Sequence, residues 1–179
     1  MSKKVVVISS SLRANSNSEK LAESFAKGAR EAGNEVEFIS LKGKKLAFCI
    51  GCLTCQNTGH CVIKDDAVEI EPKVLNSDVV AFASPIYYYE MSGQLKTLLD
   101  RLNPMYAKKF NFREVYFLST AGDDREETPY RALSGIKGWI ECFEGVSLKG
   151  SVFCGGVCTK TTIDGNAKLN EAYEMGKRV

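Results

Sequence analysis

The sequence predicts an α/β protein built on a doubly wound parallel sheet. Val5-Val6-Val7-Ile8 and Val79 to Ala83 are apolar runs without alternation, the pattern of strands covered on both faces. Such runs alternate along the chain with segments whose apolar residues recur at helical spacing, beginning with Leu21, Phe25 and Ala29. Strands separated by helices pair in parallel through right-handed crossovers, which places helices on both faces of the sheet.

In chain order, the first strand is Val5 to Ile8, followed by the polar loop Ser9-Ser10-Ser11-Leu12-Arg13-Ala14-Asn15-Ser16-Asn17-Ser18. A helix is expected from about residue 18, capped by Ser16 with Glu19 and stopped by Gly33. Val36, Phe38 and Ile39 make a second strand. A cysteine-rich insertion occupies about 42–65, and Asp65-Asp66 puts negative charge at the start of a helix carrying Val68, Ile70 and Leu75. The third strand, 79–83, runs into Ser84-Pro85-Ile86-Tyr87-Tyr88-Tyr89. Leu95, Leu98, Leu99 and Leu102 mark a helix that ends before Pro104. A fourth strand at 115–118 leads into Ser119-Thr120-Ala121-Gly122-Asp123. A helix over 128–143, a fifth strand near 147–154 and a last helix from about 165 complete the chain. No linker or repeat divides residues 1–179, so a single domain is expected.

Composition narrows the function classes. Twenty-four basic against 22 acidic side chains give a net charge of +2, without a basic tract, which argues against nucleic acid. The N-terminal apolar run is too short for a signal peptide, and no stretch approaches the roughly 20 apolar residues of a membrane span. A cytoplasmic protein is expected, with its odd total of seven cysteines kept reduced.

In a doubly wound sheet, ligands bind beyond the carboxyl ends of the strands. The first loop there holds hydroxyls, amides and one guanidinium, Arg13, and opens onto a helix N-terminus, whose free N–H groups suit a phosphate. It is neither a Walker loop nor a G-x-G-x-x-G fingerprint, having no glycine. The second loop carries Pro85 and three consecutive tyrosines, flat faces with polar tips that fit either a planar ligand or a partner surface. The third, Thr120 to Asp123, reads by itself as a generic strand-end turn.

Cys49, Cys52, Cys55 and Cys61 fall at C-x2-C-x2-C-x5-C, with Gly51 and Gly59 permitting tight turns. Three readings fit: an iron–sulfur cluster, a zinc site, or four uncoordinated thiols. His60 reads as an exposed loop residue, while Cys142, Cys154 and Cys158 read as ordinary buried thiols.

Together these stretches resemble the flavodoxin-like NADPH-dependent FMN reductase family, specifically its iron–sulfur flavoprotein branch. The likeness rests on Ser10 to Ser18, where the family has Gly-Ser-Pro-Arg-x-x-x-Asn-Ser/Thr, and on the cysteine segment with its trailing Gly-His-Cys-Val-Ile-Lys-Asp-Asp. It rests also on Ser84-Pro85-Ile86-Tyr87 and on Gln94-Leu95-Lys96 to Asp100-Arg101. Ser10 and Leu12 depart from the family's glycine and proline. The resemblance implies a five-stranded sheet of order 2-1-3-4-5. It implies FMN held by Ser9, Ser11, Arg13, Asn17 and Ser18 at its phosphate, by Pro85, Ile86, Tyr87 and Tyr88 along its ring, and by Thr120, Ala121 and Gly122 on the other edge. It implies a [4Fe–4S] cluster on Cys49, Cys52, Cys55 and Cys61, and a homodimer or homotetramer. The implied activity passes electrons from NAD(P)H or ferredoxin through flavin to a small acceptor such as a quinone, flavin or nitro compound. The competing readings are an electron-transfer flavoprotein without its own substrate, and a four-cysteine metal- or redox-sensing module.

Overall fold

The computed structural model describes residues 2–159 and 162–179. Its strands are β1 (Lys4–Ser9), β2 (Glu35–Ser40), β3 (Val79–Tyr87), β4 (Glu90–Met91), β5 (Glu114–Thr120) and β6 (Ser147–Cys154). Its α-helices are α1 (Asn17–Glu31), α2 (Thr54–Thr58), α3 (Ala67–Asn76), α4 (Gly93–Arg101), α5 (Tyr130–Ile140) and α6 (Ala167–Lys177). The long strands lie in the order β2-β1-β3-β5-β6, all parallel, so the expected 2-1-3-4-5 order holds once the short β4 is set aside.

Two cores explain why the strands show no alternation. Val5 and Val7 of β1 pack with Leu21 and Phe25 of α1 and Ala172 of α6 on one face. Val6 and Ile8 pack with Ile70 and Val74 of α3, Leu95 and Leu98 of α4, and Ile136 of α5 on the other. Both faces of β1 and β3 are covered along Val5–Ile8 and Val79–Ala83, so those stretches are apolar throughout.

Helix α1 begins as the sequence implied, with Ser16 Oγ accepting from the Glu19 N–H at 3.1 Å. Only half of the capping box forms, because the Glu19 carboxylate instead accepts from Ser40 Oγ at 3.1 Å. The helix closes in a Schellman turn: Gly33 N–H donates to the Arg30 carbonyl and Asn34 N–H to the Ala29 carbonyl, with Gly33 at φ +90°. The crossing of α1 and α6 is a backbone contact. A Cβ on Gly28 would lie 2.0 Å from the Tyr173 carbonyl oxygen, and one on Gly176 would lie 2.1 Å from that of Phe25.

The third strand is longer than its apolar run. Ser84 and Pro85 stay in register with Ser119 and Thr120 of β5, and Ile86-Tyr87 then pair antiparallel with Glu90-Met91. The two-residue turn between them has Tyr88 at φ +50° and Tyr89 at φ +66°. That backbone normally selects Asn-Gly, so the hairpin carries no turn signal in its sequence. Among the described residues, no helix is long and apolar enough to cross a membrane.

Candidate functional site

The sheet order reverses at β1, whose neighbours are β2 and β3, and the carboxyl ends of β1 and β3 therefore flank the topological switch point. A cavity of about 210 Å³ lies there. Ser11, Arg13, Ser16, Asn17 and Ser18 line it from the first loop and the head of α1, Pro85, Ile86 and Tyr87 from β3, and Thr120, Ala121 and Gly122 from the end of β5. Eleven positions scattered over 112 residues thus converge on one space.

The first loop reaches this shape without glycine. Asn15 takes the left-handed turn at φ +53°, which its short polar side chain tolerates. Ser10, at the family's glycine position, keeps an ordinary φ and is completely buried. It lies 2.8 Å from Ser92 Oγ and also donates to the Ala83 carbonyl at 2.9 Å. A side chain here ties the first loop to the second. Ser84 Oγ accepts from the Ser92 N–H at 2.9 Å, which extends the same link to the start of α4.

Asn17 holds a segment that sequence reasoning did not connect to the site. Its Nδ2 donates to the carbonyls of Val157 and Thr159 at 3.2 and 2.8 Å, and its Oδ1 accepts from the Ile163 N–H at 3.3 Å. Arg13 donates to the Cys158 carbonyl at 3.1 Å. Val157 and Cys158 consequently form a further wall of the cavity. Gly122 faces them closely: a Cβ there would sit 2.3 Å from Cys158 Sγ unless that thiol rotated away. No local motif marks Val157 or Cys158, which arrive by folding back from the end of β6.

Two expected residues lie outside the cavity lining. Ser9 is fully buried at the end of β1, its hydroxyl without a partner, and Tyr88 stands 98% exposed at the hairpin tip. Tyr89 turns the other way. Its ring lies beneath the guanidinium groups of Arg125 and Arg131, and its hydroxyl accepts from Arg125. Arg125 also holds the Asp123 carboxyl well below the usual carboxylate range.

The four clustered cysteines line a common cavity, but among the described residues no three His, Cys, Asp or Glu side chains converge as a site for a single metal ion would. The cavity is small and mostly apolar, and Cys49, Cys52, Cys55 and Cys61 share it with Asp100, Arg101 and Asn103. Leu53, Gly51 and Gly59 adopt positive φ to turn the chain around it, and the short α2 carries Cys55 inward, where it is buried. The hydroxyl and backbone N–H of Thr54 pull the Cys52 thiol below its ordinary value. Asp65 and Asp66 were expected as charges on the next helix; chiefly they close this loop. Asp65 accepts from the Ala47 N–H at 2.7 Å and Asp66 from the Lys45 N–H at 2.6 Å, which zips residues 45–47 against 65–66. Asp65 accepts in addition from the Ala67 N–H at the start of α3.

His60 is exposed, as expected. The three remaining cysteines divide: Cys154 is buried, whereas Cys142 and Cys158 are exposed. Cys142 follows the end of α5 and Cys158 follows β6, both outside the sandwich that buries Cys154, which corrects the expectation of three buried thiols. Cys142 lies on a larger cavity, of about 540 Å³, which it shares with Cys49, Tyr106 and Trp139. Its hydrogen bond with the Tyr106 phenol, together with burial, pushes that phenol up to about 12.

Comparison with known proteins bears on both sites. The family model for NADPH-dependent FMN reductase matches residues 3–130. An iron–sulfur flavoprotein of Archaeoglobus fulgidus is 40% identical over 101 residues, 56% of this chain and 46% of the relative. One of Methanocaldococcus jannaschii is 42% identical over 102 residues, 57% and 53% of the two chains, so each match spans about half the relative's length. A second protein of that name from M. jannaschii is 32% identical over 84% of this chain and 78% of its own. Among solved structures, an NAD(P)H:quinone oxidoreductase from Methanothermobacter marburgensis superposes with TM-score 0.73 at 19% identity, covering 99% and 97% of the two chains. The chain belongs to the NADPH-dependent FMN reductase family, and within it to the iron–sulfur flavoprotein branch.

Proposed function

We propose that this chain is an FMN-dependent oxidoreductase. It takes electrons from NAD(P)H or ferredoxin and passes them to a small acceptor such as a quinone, flavin or nitro compound, with a [4Fe–4S] cluster as a relay. The observation that carries the reading is the cavity at the switch point, where a helix N-terminus, serine hydroxyls and Arg13 meet a wall from the ends of β3 and β5.

The residues fit FMN. The first residues of α1 line the cavity, a helix N-terminus suits an anion, and a phosphate there would draw Arg13 from its neutral carbonyl partner to a charged one. At about 210 Å³ the cavity is smaller than the ~300–1,000 Å³ of most ligand pockets. It suits the phosphate and ribityl chain, leaving the planar ring against Pro85, Ile86 and the half-exposed Tyr87. When bound, the flavin supplies the redox chemistry, and the chain's part is to bind, orient and shield it. Tyr87 and Tyr88 leave an aromatic edge that a second copy would cover, which supports a homodimer or homotetramer.

The donor set also fits a cluster. Four thiols share one cavity, yet among the described residues no three His, Cys, Asp or Glu side chains converge as a single ion requires. A cubane binds each cysteine at a different iron corner and asks for less convergence than tetrahedral zinc.

The test is steady-state turnover of anaerobically prepared, FMN-loaded protein with NADPH, and separately with reduced ferredoxin, as donor and with a quinone and a nitroaromatic as acceptors. Acceptor-dependent turnover supports the reading. Full FMN loading with negligible turnover toward every acceptor and with either donor would leave only an electron carrier.

A further inference from the structure

One buried side chain joins Asp65 and Asp66 in holding the cysteine loop. Arg101, the last residue of α4, has a side chain with no solvent exposure. Its Nη1 donates to the Ala47 carbonyl at 3.0 Å and its Nη2 to the Ile63 carbonyl at 3.2 Å, while both also donate to the Asp65 carboxylate. The guanidinium thereby ties the chain just before Cys49 to the chain just after Cys61. Those bonds use four of its five N–H donors. The fifth, on Nε, is buried without a partner. A buried donor on a charged group is costly to leave unmade, and native structures rarely do so. Arg101 also lines the cavity shared by the four cysteines. Two residues further on, Asn103 lines the same cavity, and its Nδ2 donates to Cys55 Sγ at 3.4 Å.

We propose that Arg101 and Asn103 are positioning residues of the four-cysteine site, donating N–H bonds to its sulfurs when it is loaded and thereby raising its reduction potential. The proposal rests on the cluster reading above. Hydrogen bonds to cluster sulfurs stabilise the electron-rich reduced state, and outer-shell donors tune potential without binding iron. A purely structural ion pair would account for the bonds from Nη1 and Nη2. It would account neither for the unpaired, buried Nε of a residue that lines the cysteine cavity nor for the Asn103 contact with sulfur.

The test compares wild type, Asn103→Leu and Arg101→Lys, each reconstituted without oxygen using ferrous iron and sulfide. Iron and sulfide are assayed, and the midpoint potential is read by a mediated redox titration. Asn103→Leu is expected to load as wild type does and to titrate at a more negative potential. Arg101→Lys, which keeps the charge but loses the planar fork, should shift further in the same direction or lose part of its iron. Because Arg101 is also a structural tie, its variant can fail to fold, and the Asn103 variant then decides. Full loading of Asn103→Leu with an unchanged potential overturns the proposal while leaving the cluster reading intact. Wild-type protein that takes up neither iron nor sulfide removes the cluster and this proposal together.

Discussion

Arg13 contributes a positive charge to the cavity at the head of α1, and its side chain is exposed, so its loss bears on binding more than on folding. A hydrogen bond between charged groups contributes about 1.5–3 kcal/mol, which corresponds to a ~10–100-fold change in affinity. Arg13→Ala should therefore weaken FMN binding by ~10–100-fold in a fluorescence titration and leave the thermal midpoint nearly unchanged. Asp65 works in the other direction, on stability. Burial opposes its ionisation, but Arg101 and the N–H groups of Ala47 and Ala67 outweigh burial and hold its carboxyl below the usual range. A carboxyl depressed in the folded state stabilises it above the ordinary value of about 3.9, and that contribution disappears as pH falls through the depressed one. Hydrogen exchange in the segment 42–65 should thus quicken on acidification below about pH 4 relative to the rest of the chain, and Asp65→Asn should quicken it already at neutral pH.

Two elements carry their own tests. Helices α1 and α6 touch through Gly28 and Gly176, where the nearest backbone atoms lie 2.0 and 2.1 Å from the position of a Cβ. Helix propensity alone would favour alanine at both sites by roughly 0.8–1.0 kcal/mol. Overpacking costs about 1–3 kcal/mol or more, so packing wins. Gly28→Ala and Gly176→Ala should each lower stability in urea denaturation, and a gain in either would contradict the crossing. The β3–β4 hairpin turns on two tyrosines with positive φ, a conformation costing roughly 1–2 kcal/mol for an ordinary residue. Tyr88 makes no described side-chain hydrogen bond and stands 98% exposed, so Tyr88→Asn should raise stability by about 1 kcal/mol. The same backbone explains why the hairpin was not legible. Turn chemistry was absent from Tyr88-Tyr89, and the apolar run 79–83 fell short of the strand that continues to Tyr87. The small α2 was hidden for a similar reason, since its entry at Leu53 is a left-handed residue with no side-chain cap.

At the scale of the whole molecule, the alternation of strands and helices and the loops at the sheet's carboxyl edge followed from apolar runs that local sequence encodes, while the strand order followed from the family resemblance. What local sequence does not encode is closure across long separations. Val157 and Cys158 join the cavity with their backbone carbonyls bonded to Asn17 and Arg13, 140 and 145 positions earlier. Arg101 organises a loop whose last cysteine lies 40 residues before it, and helical periodicity gave no hint of that inward turn. The account as a whole stands on the switch-point cavity as a flavin phosphate site. Its most direct test is an equilibrium titration of flavin-free protein with FMN, run beside riboflavin, which has the same ring without the phosphate. The account predicts saturation at one FMN per chain, with riboflavin bound at least ~10-fold more weakly, the least that a charge-assisted phosphate contact contributes. Equal affinity for the two flavins, or no uptake of FMN, would contradict it.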